Sequence, residues 1–152
     1  MRTYNPSPRI RELTKLEVAY LAGIIDGEGC IGLAWRTKKY VTPTLQVGNT
    51  NYDLIEWLVG ITGSCYFVPE RRDKPNWKDR YLWRCAGMQA RELIRMTYPF
   101  LIVKKRQARV VLKLHEDVGV GLGKSTWRRF TEEDFIRIKR AKEKVSALNQ
   151  GG

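Results

Sequence analysis

The chain predicts an α+β fold, with helices covering one face of a four-stranded antiparallel sheet. Three observations lead there. A helix-periodic apolar run lies near the N-terminus, and two pairs of segments follow in which apolar and polar residues alternate. A helical segment separates the two pairs. The rest of the chain is helix-periodic and finishes in a capped amphipathic stretch. Strands joined in close pairs make antiparallel hairpins, and the helices around them then share one side of the sheet. One domain over 1–152 is expected, with residues 1–12 a loose, partly basic, flexible arm.

Taken in order, the first helix starts after Thr14, which forms a capping box with Glu17. Val18, Leu21 and Ile25 make its apolar stripe, and the helical pattern holds up to Ile25. Beyond Gly29 the period becomes two. Ile31, Leu33 and Trp35 alternate with Gly32, Ala34, Arg36 and Lys38, a strand with one apolar and one basic face. A turn over Lys39–Thr42 leads to Thr44–Asn49, where Leu45 and Val47 point inward and Thr44 and Gln46 outward. Asn51 or Thr50 caps a helix from Tyr52 to Ile61 that buries Leu54, Ile55, Leu58 and Val59, and Gly63 ends it. Tyr66–Arg72 and Lys78–Cys85 pair around the turn-rich Asp73–Asn76. Pro69 makes the outgoing strand an edge or a bulge. In the return strand Tyr81, Trp83 and Cys85 alternate with Arg80, Leu82 and Arg84. A short helix over Met88–Met96 stops before Pro99, and another runs from near Ile102 to His115. A glycine-rich loop, Gly119–Gly123, follows. Thr131 and Asp134 open the last helix, which reaches Leu148 with Phe135, Ile138, Ala141 and Val145 as its apolar side.

Charge narrows the partner. The 28 Lys and Arg outnumber 16 Asp and Glu, giving a net charge of +12, and the pI is near 9.9. That balance favours an anionic partner, nucleic acid first. A hydrophobic content of 43% argues against disorder. No apolar run approaches the roughly 18 residues of a spanning helix, and Met1–Pro8 lacks the apolar core of a secretory signal. No membrane partner is expected. Cys30, Cys65 and Cys85 are odd in number and far apart, which fits neither a disulfide framework nor a zinc site. They are expected to be reduced, in an intracellular protein.

The unusual chemistry is concentrated in Tyr20–Gly29, whose sequence is Tyr-Leu-Ala-Gly-Ile-Ile-Asp-Gly-Glu-Gly. Ala19, Gly23 and Gly27 recur every four residues, with Ala22 beside them. Glycine inside a helix costs about 1 kcal/mol relative to alanine, so a small face there calls for a reason. Close approach of another backbone, below the usual 8–10 Å helix spacing, supplies one. Asp26 and Glu28 stand where helix carbonyls already carry partial negative charge, and a bound cation relieves that repulsion. On the residues alone, a buried apolar helix with a glycine cap and two solvated acids reads equally well.

The stretch closely resembles the signature of the LAGLIDADG homing endonucleases, at Leu21, Ala22, Gly23, Ile25, Asp26 and Gly29, with accepted variants at Ile24, Gly27 and Glu28. Two further segments are similar to the family's pattern. Leu45–Asn49 matches a strand whose last polar residue positions the attacking water, and Pro99–Ala108 matches its Pro-Phe-Leu…Lys…Gln-Ala segment. The resemblance covers roughly residues 14–148. It implies the family's αββαββα core, with the uncovered face of the sheet laid on double-stranded DNA. It also implies two motif helices packed together, with terminal acids holding divalent metal between them. The motif occurs once in this chain, so a two-fold homodimer is expected, with Ala19, Ala22, Gly23 and Gly27 at its interface.

By the same resemblance Glu28 and the Gly27 carbonyl hold the metal, while Asp26 holds the helix end. Glu28, Asn49, Lys104 and Arg106 form the catalytic set, the two cations near the scissile phosphates. Oxygen-only ligands suit Mg²⁺, with Mn²⁺ or Ca²⁺ as substitutes. Asn49 is shorter than the glutamine often found at its place. On the strand register, the free sheet face carries Arg36, Lys38, Thr44, Gln46, Tyr66, Glu70, Arg72, Arg80 and Arg84. Such side chains read base edges, Arg to guanine and Gln to adenine. Any one of these charges is equally an ordinary solvated group, and Lys104–Arg106 alone reads as a solvated helix start.

The implied activity is metal-dependent hydrolysis of both strands of a long, partly palindromic DNA target by an intron-encoded enzyme. An RNA-binding maturase and a DNA-binding protein without chemistry are the alternatives. No small-molecule cofactor is expected: Gly123-Lys124-Ser125 looks like the end of a P-loop, but Val118 stands where the first glycine is required. His115, the one histidine, reads as a surface or core residue. Trp57, Trp77, Trp83 and Trp127 read as packing groups.

Overall fold

The computed structural model describes residues 12–36, 41–62, 66–70 (backbone only), 78–118 and 130–151. The elements are α1 (Lys15–Glu28), β1 (Gly29–Trp35), β2 (Val41–Asn49), α2 (Tyr52–Thr62), β3 (Tyr66–Glu70), β4 (Arg80–Ala86), α3 (Gly87–Thr97), a 3-10 turn (Tyr98–Phe100), α4 (Lys105–Val118) and α5 (Glu132–Gln150). The strands form one antiparallel sheet in the order β1-β2-β4-β3. The expected α+β architecture is therefore present, with Pro69 on an edge strand as its missing N–H requires.

Local chemistry sets the helix starts. Thr14 Oγ1 accepts the Glu17 N–H at 3.2 Å while Glu17 Oε1 accepts the Thr14 N–H at 3.0 Å, the reciprocal pair of a capping box. Thr131 and Asp134 repeat it at α5. At α2 the cap is Asn51, whose Oδ1 accepts the Asp53 N–H at 2.9 Å. Thr14→Ala is expected to cost about 1 kcal/mol. That lowers the thermal midpoint by roughly 2–4 °C for a chain of this size, readable by circular dichroism.

The core lies between the sheet and the helices. Ile31 and Leu33 of β1, Val41, Leu45 and Val47 of β2, and Trp83 and Cys85 of β4 point into it. They meet Leu21 and Ile25 of α1, Ile55 and Leu58 of α2, Leu93 and Ile94 of α3, Val111 of α4 and Ile138 of α5. Each such side chain contributes about 1.5–3 kcal/mol by leaving water. The alternate residues Gln46 and Arg84 face away from that core, which fixes the register, since a slip of one would invert both faces.

Several expectations need correction. α1 continues past Ile25 to Glu28 and passes into β1 with no intervening loop. A Cβ at Gly29 would lie 2.7 Å from Ile25 Cα, so this junction admits only glycine without a shift. β2 begins at Val41, placing Val41 and Thr42 in the strand rather than in a turn, with Pro43 following them. Pro43 is tolerated because β4 ends at Ala86, opposite Thr44, and no strand pairs with position 43 on that side. The helix expected from near Ile102 starts at Lys105, because the preceding N–H groups are bound elsewhere. Trp35, in phase with the core, is half exposed at the end of β1. The expectation of three reduced cysteines also fails: Cys85 is disulfide-bonded, Cys30 is a free thiol, and Cys65 lies outside the described residues. The expected N-terminal arm, Gly63, the Asp73–Asn76 turn, the glycine-rich loop, the Gly123–Ser125 segment, Trp77 and Trp127 lie outside them too.

Candidate nucleic-acid interface and cation site

Opposite the helices, the sheet presents a polar face. Pairing places Cys30, Gln46 and Arg84 in one row across β1, β2 and β4, with position 66 next to Arg84 on β3. Arg84 Nη2 donates to Gln46 Oε1 at 3.3 Å, so the guanidinium and the amide form one unit. Thr44 lies one row away, opposite Gly32 and Ala86. Arg36 follows the last residue of β1 and is exposed. Tyr66 and Glu70 sit opposite Arg84 and Arg80 by register, while Lys38 and Arg72 lie outside the described residues.

Arg80 does more than project outward. A Cβ on Gly48 would stand 2.0 Å from Arg80 Nη2, so the guanidinium lies flat across β2 directly over that glycine. Gly48 is buried for this reason. A lone glycine inside a strand was the available signal for such a close approach.

At the end of α1 the two acids separate into different roles. Asp26 Oδ2 accepts the Ile102 N–H at 2.8 Å, and its Oδ1 accepts those of Val103 at 3.1 Å and Lys104 at 2.9 Å. Both carboxylate oxygens are thus committed to the backbone leading into α4. The unfavourable position at the tail of α1 is offset by three converging N–H dipoles and by the positive end of α4. Asp26 therefore secures a helix entry other than its own. Glu28, the last residue of α1, is exposed and has no hydrogen-bond or ion-pair partner among the described residues.

Of the other expected catalytic groups, Asn49 and Lys104 come near this end, the first by strand register and the second by hydrogen bonding. Asn49, at the end of β2, has the parity of Leu45 and Val47 and so belongs to the side on which α1 packs. Its Oδ1 already accepts the Asn51 N–H at 2.7 Å, leaving the amide nitrogen as the group it presents. Lys104 is tied to α1 through its own N–H and, through its carbonyl, accepts the Ala108 N–H that opens α4. Arg106 is exposed in the first turn of α4, and no contact joins it to Asp26 or Glu28. Gln107 is buried and donates to Asn149, which in turn donates to the Ile31 carbonyl at 2.9 Å. The Gln-Ala pair of that segment thus joins α4 to α5 and the edge strand, a role its sequence did not reveal.

The outer face of α1 is a stripe at Leu16, Tyr20, Gly23 and Gly27, spaced four, three and four residues apart. Leu16 is 83% and Tyr20 58% exposed, and nothing lies within 4 Å of a Cβ built on Gly23 or Gly27. Tyr20 meets the edge of Trp57, with ring centroids 4.9 Å apart, above a shallow groove that Asn51, Asp53 and Leu54 complete. Ala19 is half-buried beside the stripe. Ala22, expected with it, is 1% exposed and belongs to the core, because its position in the helix turns it toward the sheet.

Among the described residues no group of three or more His, Cys, Asp or Glu converges. Glu28 and the α1 carbonyls beside it, Gly27 included, offer oxygen donors alone, which fits a hard divalent ion but leaves most positions to be supplied from elsewhere.

Solved structures share this architecture. The homing endonuclease I-CvuI, in complex with DNA in the presence of Mg, superposes with a TM-score of 0.65 at 20% identity, covering 88% of this chain and 82% of that one. The LAGLIDADG meganuclease I-AabMI, bound to uncleaved DNA, gives 0.52 at 17% identity over 67% of this chain and 36% of its own. The fold is that of the LAGLIDADG homing endonucleases. The archaeal intron-encoded homing endonuclease I-Vdi141I, complexed with DNA, agrees at 0.66 and 15% identity over 88% and 84% of the two chains. No protein-family model and no curated protein matches the sequence. Within the LAGLIDADG fold, the signature stretch of this chain is α1, and the sheet's free face is the one bearing Gln46, Arg80 and Arg84.

Proposed function

We propose that this chain is a homodimeric, Mg²⁺-dependent homing endonuclease that cuts both strands of a long, partly palindromic duplex. The observation that carries this reading is Glu28: an exposed carboxylate without a partner among the described residues, at the tail of a helix whose outer stripe of small and apolar residues they leave uncovered. Two such helices meeting along Leu16, Tyr20, Gly23 and Gly27 bring two Glu28 carboxylates together, each with the Gly27 carbonyl beside it. That completes a donor set which one chain lacks. The DNA-bound LAGLIDADG structures support the same reading through the fold.

Glu28 and the Gly27 carbonyl would hold a divalent cation there, which would supply charge neutralisation at the scissile phosphate and lower the pKa of a water bound to it. The chain's own groups do the rest. Lys104 adds fixed positive charge beside the phosphate, and Arg106 adds a more exposed one. Asn49 presents its amide nitrogen toward the same space. The free sheet face lies in the major groove, where Arg80, Arg84 and Gln46 meet base edges and Arg36 the backbone.

The test is cleavage of a plasmid carrying, joined together, the two sequences that flank the reading frame or its intron. Mg²⁺-dependent linearisation is expected. A plasmid left intact across a Mg²⁺ series, and no cleaved member in a randomised duplex pool, would reject the nuclease. The interface carries its own prediction. Gly48→Ala displaces the far end of a flexible Arg80 side chain, so the thermal midpoint is expected to stay within a few degrees. Duplex affinity in a gel shift is expected to fall on the order of tenfold, the scale of one base or phosphate contact.

A further inference from the structure

We propose that Asp26 is a positioning residue, which holds Lys104 against the end of α1 that carries Glu28. The inference rests on the nuclease reading and adds a link between two of its groups. Residues 101–104 belong to no helix or strand, and they join the 3-10 turn to α4. Leu101 donates to the Thr97 and Tyr98 carbonyls, so the turn accounts for its N–H. The next three N–H groups, those of Ile102, Val103 and Lys104, all go to Asp26.

No shorter-range group performs this task. Asp26 lies 76–78 residues away in the chain and on the same helix turn as Glu28. Three donors call for a group that only accepts, and a carboxylate has two such oxygens, whereas an asparagine would turn an N–H₂ toward one of them. The bonds are charge-assisted, and two of the three are under 3 Å. Since the Lys104 carbonyl also opens α4, this residue is pinned on both sides of its Cα. Leu101 anchors the start of the segment in the core, but Ile102, 85% exposed, and Val103 have no such burial, so past Leu101 the hydrogen bonds to Asp26 do the holding. Asp26 therefore ties the Lys104 backbone to the turn of α1 that carries Glu28.

The test is a double-substitution cycle, with rates per folded protein on the duplex that the unsubstituted chain cuts. Asp26→Ala is expected to lower kcat on the order of a hundredfold, the effect of an ångström-scale misplacement. KM for the duplex should not move, because the sheet face is untouched. In a Lys104→Met background the same substitution should lower kcat by no more than about twofold, the scatter of independent sites. Asp26→Asn, which keeps an oxygen for Val103 and Lys104, should recover part of the loss. Losses that multiply in the two backgrounds, or a rise in KM at constant kcat, overturn the proposal by showing a merely structural role.

Hydrogen exchange provides a readout apart from cleavage. The amides of Ile102–Lys104 are expected to exchange at least tenfold faster in Asp26→Ala, and equal rates overturn the inference. If the unsubstituted chain cuts no duplex, the nuclease reading fails, and exchange alone decides whether Asp26 anchors the segment.

Discussion

Glu28→Gln is expected to leave duplex affinity within about twofold and to abolish cleavage. The side chain is exposed at the end of α1 and engaged with nothing among the described residues, so removing its charge leaves no buried group there unsatisfied. Fold and sheet face should persist, visible as an unchanged circular dichroism spectrum and gel shift. What disappears is the anionic oxygen that holds the cation. Lewis-acid stabilisation of several kcal/mol goes with it, corresponding to about a thousandfold or more in rate. Titration calorimetry with Mg²⁺ on the DNA complex should show weakened uptake in the same variant. Cleavage at an undiminished rate would remove Glu28 from the metal site and, with it, the central claim about chemistry.

The second large effect concerns assembly. Gly23→Leu is expected to give a folded, DNA-free monomer with no cleavage activity. Nothing lies within 4 Å of a Cβ at this position, so the chain accommodates the side chain. Helix propensity favours leucine over glycine by nearly 1 kcal/mol. Any loss must therefore come from outside the chain, where a bulky residue holds apart two helices that need close backbone contact. Sedimentation equilibrium of the parent chain should show a dimer, and that of the variant a monomer. A variant that still dimerises and still cuts would place the contact on another surface. The Gly27→Leu variant should behave in the same way, whereas Ala22→Leu should unfold the chain, since Ala22 is packed in the core.

Much of the fold was legible because it is local. Thr14 with Glu17, and Thr131 with Asp134, are complete capping boxes within four residues, and both form as their spacing requires. The alternation through Leu45, Gln46 and Val47, and again through Trp83, Arg84 and Cys85, carries the sheet's two faces in its period of two. Pro69 announced an edge. The errors fall where a distant group overrides the local pattern. The pattern through Ile102 and Val103 reads as the start of a helix, yet their N–H groups are taken by Asp26. Ala22 reads as part of the small stripe, but the helix turns it toward β-strand residues that no spacing rule names. Cys85 reads as reduced because covalent pairing depends on which residues the folded chain brings together.

The candidate site divides along the same line. By itself the sequence marked the candidates: Glu28 at the tail of a small-faced helix, the basic positions in phase on the strands, and Lys104 in its Pro-Phe-Leu segment. Periodicity suffices for the strand and helix faces, which follow from each element's own repeat, while Glu28 and Lys104 stand out through the resemblance to the LAGLIDADG homing endonucleases. Tertiary structure alone decided how the groups divide their work. Only packing could show that Asp26 spends both oxygens on a backbone far along the chain while Glu28 stays open, or that Arg80 lies across Gly48. Hydrogen bonds are short-ranged and directional, so which donor meets which acceptor is settled by where the folded chain places them, not by their distance in sequence.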